Sequence, residues 1–302
     1  MRKLAWINSL ICFLFICISC DEQTNVIQLE LVKALPVEYR EPVEPSGLVN
    51  YEGEFFTVSD DHDNQIFRLV FHEEKITLET HLAFVAPDYD KDQKMDFEGI
   101  DCDSGGNFYL ASEELSSVLF VSNDGSQLQW KSPSLRPYGE EKGLFALQNA
   151  NLEGITLIRE NLVVLVAERE PRGLIELDLK ENAPIVHAYN LDEPLIPMPK
   201  NRPPDFSGLY SENDKIYVLQ RALHCVSQLV KEGETFKEAK FWSFENTEND
   251  PEYIYSDTRY GLAEGLFMDD RYVYIILDND GNYRNAYPSD MRPLFFIFER
   301  PH

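Results

Sequence analysis

The chain has 302 residues, with 53 acidic against 27 basic side chains and a formal net charge of −26. So acidic a surface repels nucleic acid and anionic lipid, which excludes nucleic-acid partners and a broad membrane-facing role. A disulfide framework is excluded too. Three of the five cysteines (Cys12, Cys17, Cys20) crowd the start of the chain, and the other two, Cys102 and Cys225, stand too far apart in the pattern to pair.

Arg2 and Lys3 give a positive start, and Leu4 to Ser19 is mostly apolar but interrupted by Asn8 and Ser9. That is shorter than the roughly 20 apolar residues of a spanning helix and has the layout of an export signal over residues 1–19. Cys20 follows Ile18-Ser19. This end resembles the lipobox of bacterial lipoproteins, which implies lipidation at Cys20, a short linker over 20–25 and a lipid-anchored protein of the bacterial cell envelope. Ordinary secretion and an uncleaved anchor remain open. Residues 26–302 then form one domain, with the lipid as its only membrane contact.

From there a phrase of Ser or Glu, Gly, then Leu or Ile recurs five times: Ser46-Gly47-Leu48, Glu98-Gly99-Ile100, Glu153-Gly154-Ile155, Ser207-Gly208-Leu209 and Glu264-Gly265-Leu266. Its glycines are 52, 55, 54 and 57 residues apart. After each comes a short apolar run ending in a polar cluster, closing on Asp60-Asp61, Glu113-Glu114, Glu168-Arg169, Arg221 and Asp278-Asn279. A period of this length built from short β-rich runs predicts an all-β repeat fold, a β-propeller. Each repeat reads as four strands. In the third they are Gly154 to Ile158, Leu162 to Ala167, Leu174 to Leu179 and Pro184 to Tyr189. The last repeat has too little chain, so Val26 to Leu31 is expected to supply its outer strand and close the ring. Five blades follow, with a sixth, irregular blade open as an alternative in the loops 132–148 and 192–205.

Strand alternation brings the start of each first strand and the end of each second strand to the same face. The mouth of the central channel should therefore gather Glu98, Glu153 and Glu264 with Asp60, Asp61, Glu113, Glu168, Arg169, Arg221 and Asp278. The glycines should allow close backbone approach where blades converge. Converging carboxylates raise one another's pKa unless a cation intervenes. Glu98, Glu153, Glu264 and Asp278 are the expected ligands of a calcium ion, Glu153 and Glu168 the candidate base or ligand, and Arg169 and Arg221 candidate holders of an anionic group. Asp60, Glu113 and His62 are expected to bind the ligand, and His224 is placed to reach the mouth. The run Asp88, Asp90, Asp92 and Asp96 resembles the opening of a calcium loop, but Gln93 and Gly99 stand where an EF-hand needs Gly and Glu. No Gly-x-Ser-x-Gly elbow, His-Glu-x-x-His or Cys-x-x-Cys pattern occurs.

The ordered set Pro45-Ser46-Gly47-Leu48, Asp96-Phe97-Glu98-Gly99-Ile100, Asn151-Leu152-Glu153-Gly154-Ile155, Asp205-Phe206-Ser207-Gly208-Leu209 and Ala263-Glu264-Gly265-Leu266 resembles the phytase-like family, also described as "esterase-like activity of phytase". The SdiA-regulated type of propeller shares the Glu-Gly-Ile phrase. The resemblance implies an exported β-propeller and hydrolysis of carboxylic or phosphate esters. Gln220 departs from the pattern, standing where an acidic residue is common before the Arg. Two readings follow: a calcium-assisted hydrolase of small-molecule esters, or a non-catalytic, envelope-anchored propeller that binds an envelope ligand. The chain is expected to be a monomer.

Overall fold

The computed structural model describes residues 25–87, 94–180, 184–258 and 261–301. The expected signal over residues 1–19, Cys20, and Asp88, Asp90 and Asp92 lie outside the described residues. No helix among the described residues is long and apolar enough to cross a membrane.

Two strands, β1 (Val26–Gln28) and β2 (Leu31–Glu38), precede the repeats. Then come four meandering sets: β3 (Pro45–Tyr51), β4 (Glu54–Ser59), β5 (Gln65–Phe71) and β6 (Ile76–Ala83); β7 (Phe97–Cys102), β8 (Phe108–Ser112), β9 (Ser117–Val121) and β10 (Leu128–Trp130); β11 (Leu152–Arg159), β12 (Leu162–Ala167), β13 (Gly173–Asp178) and β14 (Ile185–Asn190); β15 (Gly208–Glu212), β16 (Lys215–Gln220), β17 (Cys225–Glu232) and β18 (Thr235–Ser243). The last set holds β19 (Ala263–Met268), β20 (Tyr272–Leu277) and β21 (Leu294–Glu299). Within each set consecutive strands pair antiparallel.

The fourth place in the last set is taken by β2, which pairs antiparallel with β21, Ala34 opposite Phe296. This corrects the expected strand Val26 to Leu31. Of that stretch, Leu31 begins β2 opposite Phe298, while Val26–Gln28 is a separate strand that adds in parallel to β18 of the neighbouring set. The closing strand lies further on because Leu35 and Val37 alternate into the core beside Phe295 and Ile76, whereas Val26–Gln28 is exposed throughout. Beyond β21, the end of β2 pairs in parallel with β6, Val37 opposite Ile76, so the first and last sets share an edge.

Apolar clusters fill every junction between neighbouring sets. Strand β12 explains how: Val163, Leu165 and Ala167 pack toward β8 and β9, whereas Val164 and Val166 pack toward β16 and β17. A strand buried on both faces reads as one continuous apolar run. The remaining junctions are filled by Val58 with Leu110, by Phe55 with Ile276, and by Leu219 with Ile275. The inner strands β3, β7, β11, β15 and β19 each touch the next, and β19 returns to β3. The phrase glycines mark these approaches. A Cβ on Gly99 would lie 2.5 Å from the Glu153 carbonyl oxygen, and one on Gly265 would lie 2.7 Å from the backbone of Gly47. Both remaining cysteines are free, Cys225 buried and Cys102 half-buried.

Candidate functional site: an acidic mouth around a buried arginine

The two phrases meet because the backbone ties them. Glu113 N–H donates to the Asp96 carbonyl at 2.8 Å, Glu168 N–H to that of Asn151 at 2.9 Å, and Asp278 N–H to that of Leu262 at 2.8 Å. At Glu98, Glu153 and Glu264 the pairing between first and second strands slips by a residue. Such a bulge re-aims the side chain it carries, and here it turns each Glu out of the ladder toward the axis. In the fourth set the ladder runs without a slip from Gly208, with Ser207 N–H just ahead of it donating to the Leu219 carbonyl, and the first set slips after Ser46.

Arg221 sits at the centre. It donates from Nε to Asp205 Oδ2 at 3.0 Å and from its terminal nitrogens to Glu264 and Glu168. Glu153 Oε1 lies 4.0 Å from Nη2. Arg169 pairs with Glu168 and donates to the Asn149 carbonyl at 3.4 Å. Burial alone would lower the Arg221 pKa, but Glu264 and Glu153 more than offset it, so the guanidinium stays charged. Lys94 bridges Asp60 at 3.4 Å and Asp96 at 2.9 Å.

Burial raises the pKa of the mouth carboxylates. Glu113 is pushed up to about 7, burial outweighing the N–H bond from Asn151. Glu44 also rises to about 7, through burial and then Asp60 and Asp61. Asp60 rises to about 6 by burial despite Lys94. Burial, followed by repulsion from Glu153, Asp60 and Glu264, lifts Glu98 well above the usual range. Burial also lifts Glu153 against the pull of Arg221, and lifts Asp205 and Asp278.

The expected site residues thus fall into parts. Glu153, Glu168, Arg169, Arg221 and Glu264 form one cluster. Among the described residues, three carboxylate trios can each bring oxygens within 4.8 Å of one another: Glu113–Glu153–Glu168, Asp60–Asp96–Glu98 and Glu44–Asp60–Asp61. The four expected calcium ligands do not form one set: Glu98 and Glu153 fall in different trios, and Glu264 and Asp278 in none. Arg221 is wrapped by carboxylates, which departs from its expected part as an anion holder. His62 lies aside, its Nδ1 3.4 Å from Ser59 Oγ and its ring edge-on to Tyr39 and Phe67. His224 is buried within the loop layer. Arg202 Nη1 donates to its Nε2 at 2.7 Å, so Nδ1 carries the proton toward Glu248 Oε2 at 2.8 Å.

Sequence reasoning missed Glu44 and Asp205 as members of the mouth and Lys94 as its third cation. A signal existed for the first two. The residue two places before each Ser/Glu is Glu44, Asp96, Asn151, Asp205 and Leu262. Alternate residues of an extended chain share a face, so four of the five place a polar group beside the phrase.

A family model described as "Phytase-like: Esterase-like activity of phytase" matches residues 45–235. No curated protein matched the sequence. Among solved structures, Myxococcus xanthus glutaminyl cyclase is similar at 12% identity, over 92% of this chain and 100% of that one, with a TM-score of 0.54. Virginiamycin B lyase from Staphylococcus aureus is similar at 12% identity over 91% and 75% of the two chains, with a TM-score of 0.43. At such identity the cyclase shows a shared propeller-type fold and nothing of its chemistry.

Proposed function

The chain belongs to the phytase-like family, and from that membership we propose that it is a lipid-anchored, five-bladed envelope propeller whose acidic mouth hydrolyses esters with the help of calcium. The five inner strands closing on one another support the blade number. The observation that carries the chemistry is the trio Glu113, Glu153 and Glu168, three carboxylates from two neighbouring sets with oxygens within 4.8 Å.

The residues present fit a hard divalent cation. Every donor is oxygen, the carboxylates far outnumber Lys94, Arg169 and Arg221, and Asp60 Oδ1 and Glu264 Oε2 have no hydrogen-bond donor. Glu113, Glu153 and Glu168 would hold the ion. When bound, calcium would polarise an ester oxygen as a Lewis acid. Arg221 fixes Glu168 and Glu264 in place, and Glu153, near Arg221, is the residue placed to take a proton from an attacking water.

Turnover of nitrophenyl carboxylic and phosphate esters by the purified chain is the test. Glu153→Gln should lower kcat by about 100-fold or more. If no ester in a broad panel is turned over, with or without calcium, the hydrolase reading fails. The second reading, a non-catalytic binding propeller, then stands. It is favoured by Arg221, whose guanidinium is taken up by the protein's own carboxylates.

Calcium is tested separately by thermal melting. An ion that binds only the folded chain raises Tm over its value in chelator. A carboxylate must be ionised to bind, so the calcium shift should grow as the pH rises through about 7, where Glu113 titrates. In chelator the same groups act in the opposite sense. A carboxylate whose folded pKa is raised stabilises fully below its unfolded value, and that stability is lost as pH rises through the folded pKa. For Glu44 and Glu113 the window runs from about 4.5 to about 7. Equal Tm values in calcium and chelator across this window would remove the metal.

A further inference from the structure

A cavity of about 380 Å³ opens beside Arg221, walled by Arg169, Arg221, Glu264, Asp278, Asp280 and Asn282 among others. It is far larger than a bare ion, since a water molecule takes about 30 Å³. Its two arginines are engaged. Arg221 donates from all three guanidinium nitrogens to Asp205, Glu264 and Glu168, and Arg169 pairs with Glu168 and donates to Asn149.

The carboxylates are not matched in this way. Glu264 is only 6% exposed, yet its Oε2 has no hydrogen-bond donor. Asp60 Oδ1, elsewhere in the mouth, also has none. Asp278 Oδ1 receives one backbone bond, from Asp280 N at 2.7 Å. Asp280 itself stands on the exposed rim. An anion entering here meets carboxylates, and N–H groups already directed at other acceptors. A compact cation with several N–H donors meets acceptors that lack them.

We propose that this mouth takes its ligand by a primary ammonium group. On the hydrolase reading of the same site, on which this step rests, the substrate class is an amino-bearing carboxylic ester, and phosphate esters are excluded by charge. The binding claim itself does not depend on turnover.

The test is calorimetric titration of the purified chain with n-butylamine, butyrate and inorganic phosphate, in chelator and in calcium, alongside turnover of an amino-bearing ester and nitrophenyl phosphate. Butylamine should bind at least about tenfold more tightly than butyrate or phosphate. Asp280→Asn, a rim substitution with little bearing on folding, should weaken amine binding about threefold, and Glu264→Gln more if that variant folds. Butyrate or phosphate binding as tightly as the amine overturns the proposal, as does no amine binding or an unchanged affinity in Asp280→Asn. Amine binding with no ester turned over sinks the hydrolase reading and leaves the ammonium site standing. Turnover of the phosphate ester without amine binding does the reverse.

Discussion

Replacing Arg221 by methionine is expected to destabilise the chain by about 3–5 kcal/mol at neutral pH, the scale for removing one partner of a buried charge network. The side chain is 12% exposed and is the common partner of Asp205, Glu168 and Glu264, whose side chains are 4%, 1% and 8% exposed. Methionine fills much of the volume, so the loss comes from carboxylates left without a counter-charge. That gives it a pH signature. Without Arg221 the folded pKa values of Glu153 and Glu264 rise further, because the attraction that lowers them is gone. The penalty is fully present above those raised values and vanishes below the unfolded carboxylate range, near pH 4. The gap in Tm between the parent chain and Arg221→Met should therefore be widest near pH 8 and narrowest near pH 4.5. Arg221→Lys should recover only part of the loss, since a single ammonium cannot reproduce a fork that serves several carboxylates at once. A gap that stays constant with pH would show that Arg221 acts by packing alone.

Much of this cluster was legible because phrase and topology act together. The Glu/Ser-Gly spacing fixes where first strands begin, and antiparallel alternation then carries Glu168 and Arg221 to the same face. What escaped was set by contacts the chain order hides. The closing strand β2 contains Pro36, which cannot donate to a ladder and so lowers the strand signal of Leu31–Glu38. Leu294 lies opposite that proline, in the last strand of the chain. Gln220 is a departure from the family pattern whose reason lies 48 residues away. Its Oε1 accepts from the fully buried Arg172 at 2.5 Å, and its Nε2 donates to Ser227 at 2.7 Å. Arg172 in turn lies over the Phe206 ring and pairs with Glu238. A neutral amide at position 220 gives the Nη1 of that arginine an acceptor without adding a carboxylate to a mouth already rich in them. The trio Glu113–Glu153–Glu168 required knowing that neighbouring sets touch at these heights, which period alone does not give.

The second large effect is expected at Gly99. A methyl group there would stand 2.5 Å from the Glu153 carbonyl oxygen and 3.0 Å from the Ile155 backbone nitrogen, both on the neighbouring inner strand. Neither atom belongs to a flexible side chain, so Gly99→Ala must push β7 away from β11. Overpacking of this kind costs about 1–3 kcal/mol or more. Glu153 is the residue whose backbone is displaced, so the cost should reach the mouth as well as the fold, with any calcium-dependent rise in Tm and any ester turnover falling together. Gly53→Ala is the control for a glycine whose constraint is conformational rather than steric. Unlike Gly99 it has a positive φ, of 87°, but nothing lies within 4 Å of its would-be Cβ. Its cost is the conformational one alone, about 1 kcal/mol, and the mouth should not respond. The discriminating measurement is a pair of denaturant titrations with calcium binding on each variant. Gly99→Ala as mild as Gly53→Ala, with calcium affinity intact, would mean that the inner strands are not packed tightly enough for one sheet to set the side chains of the next.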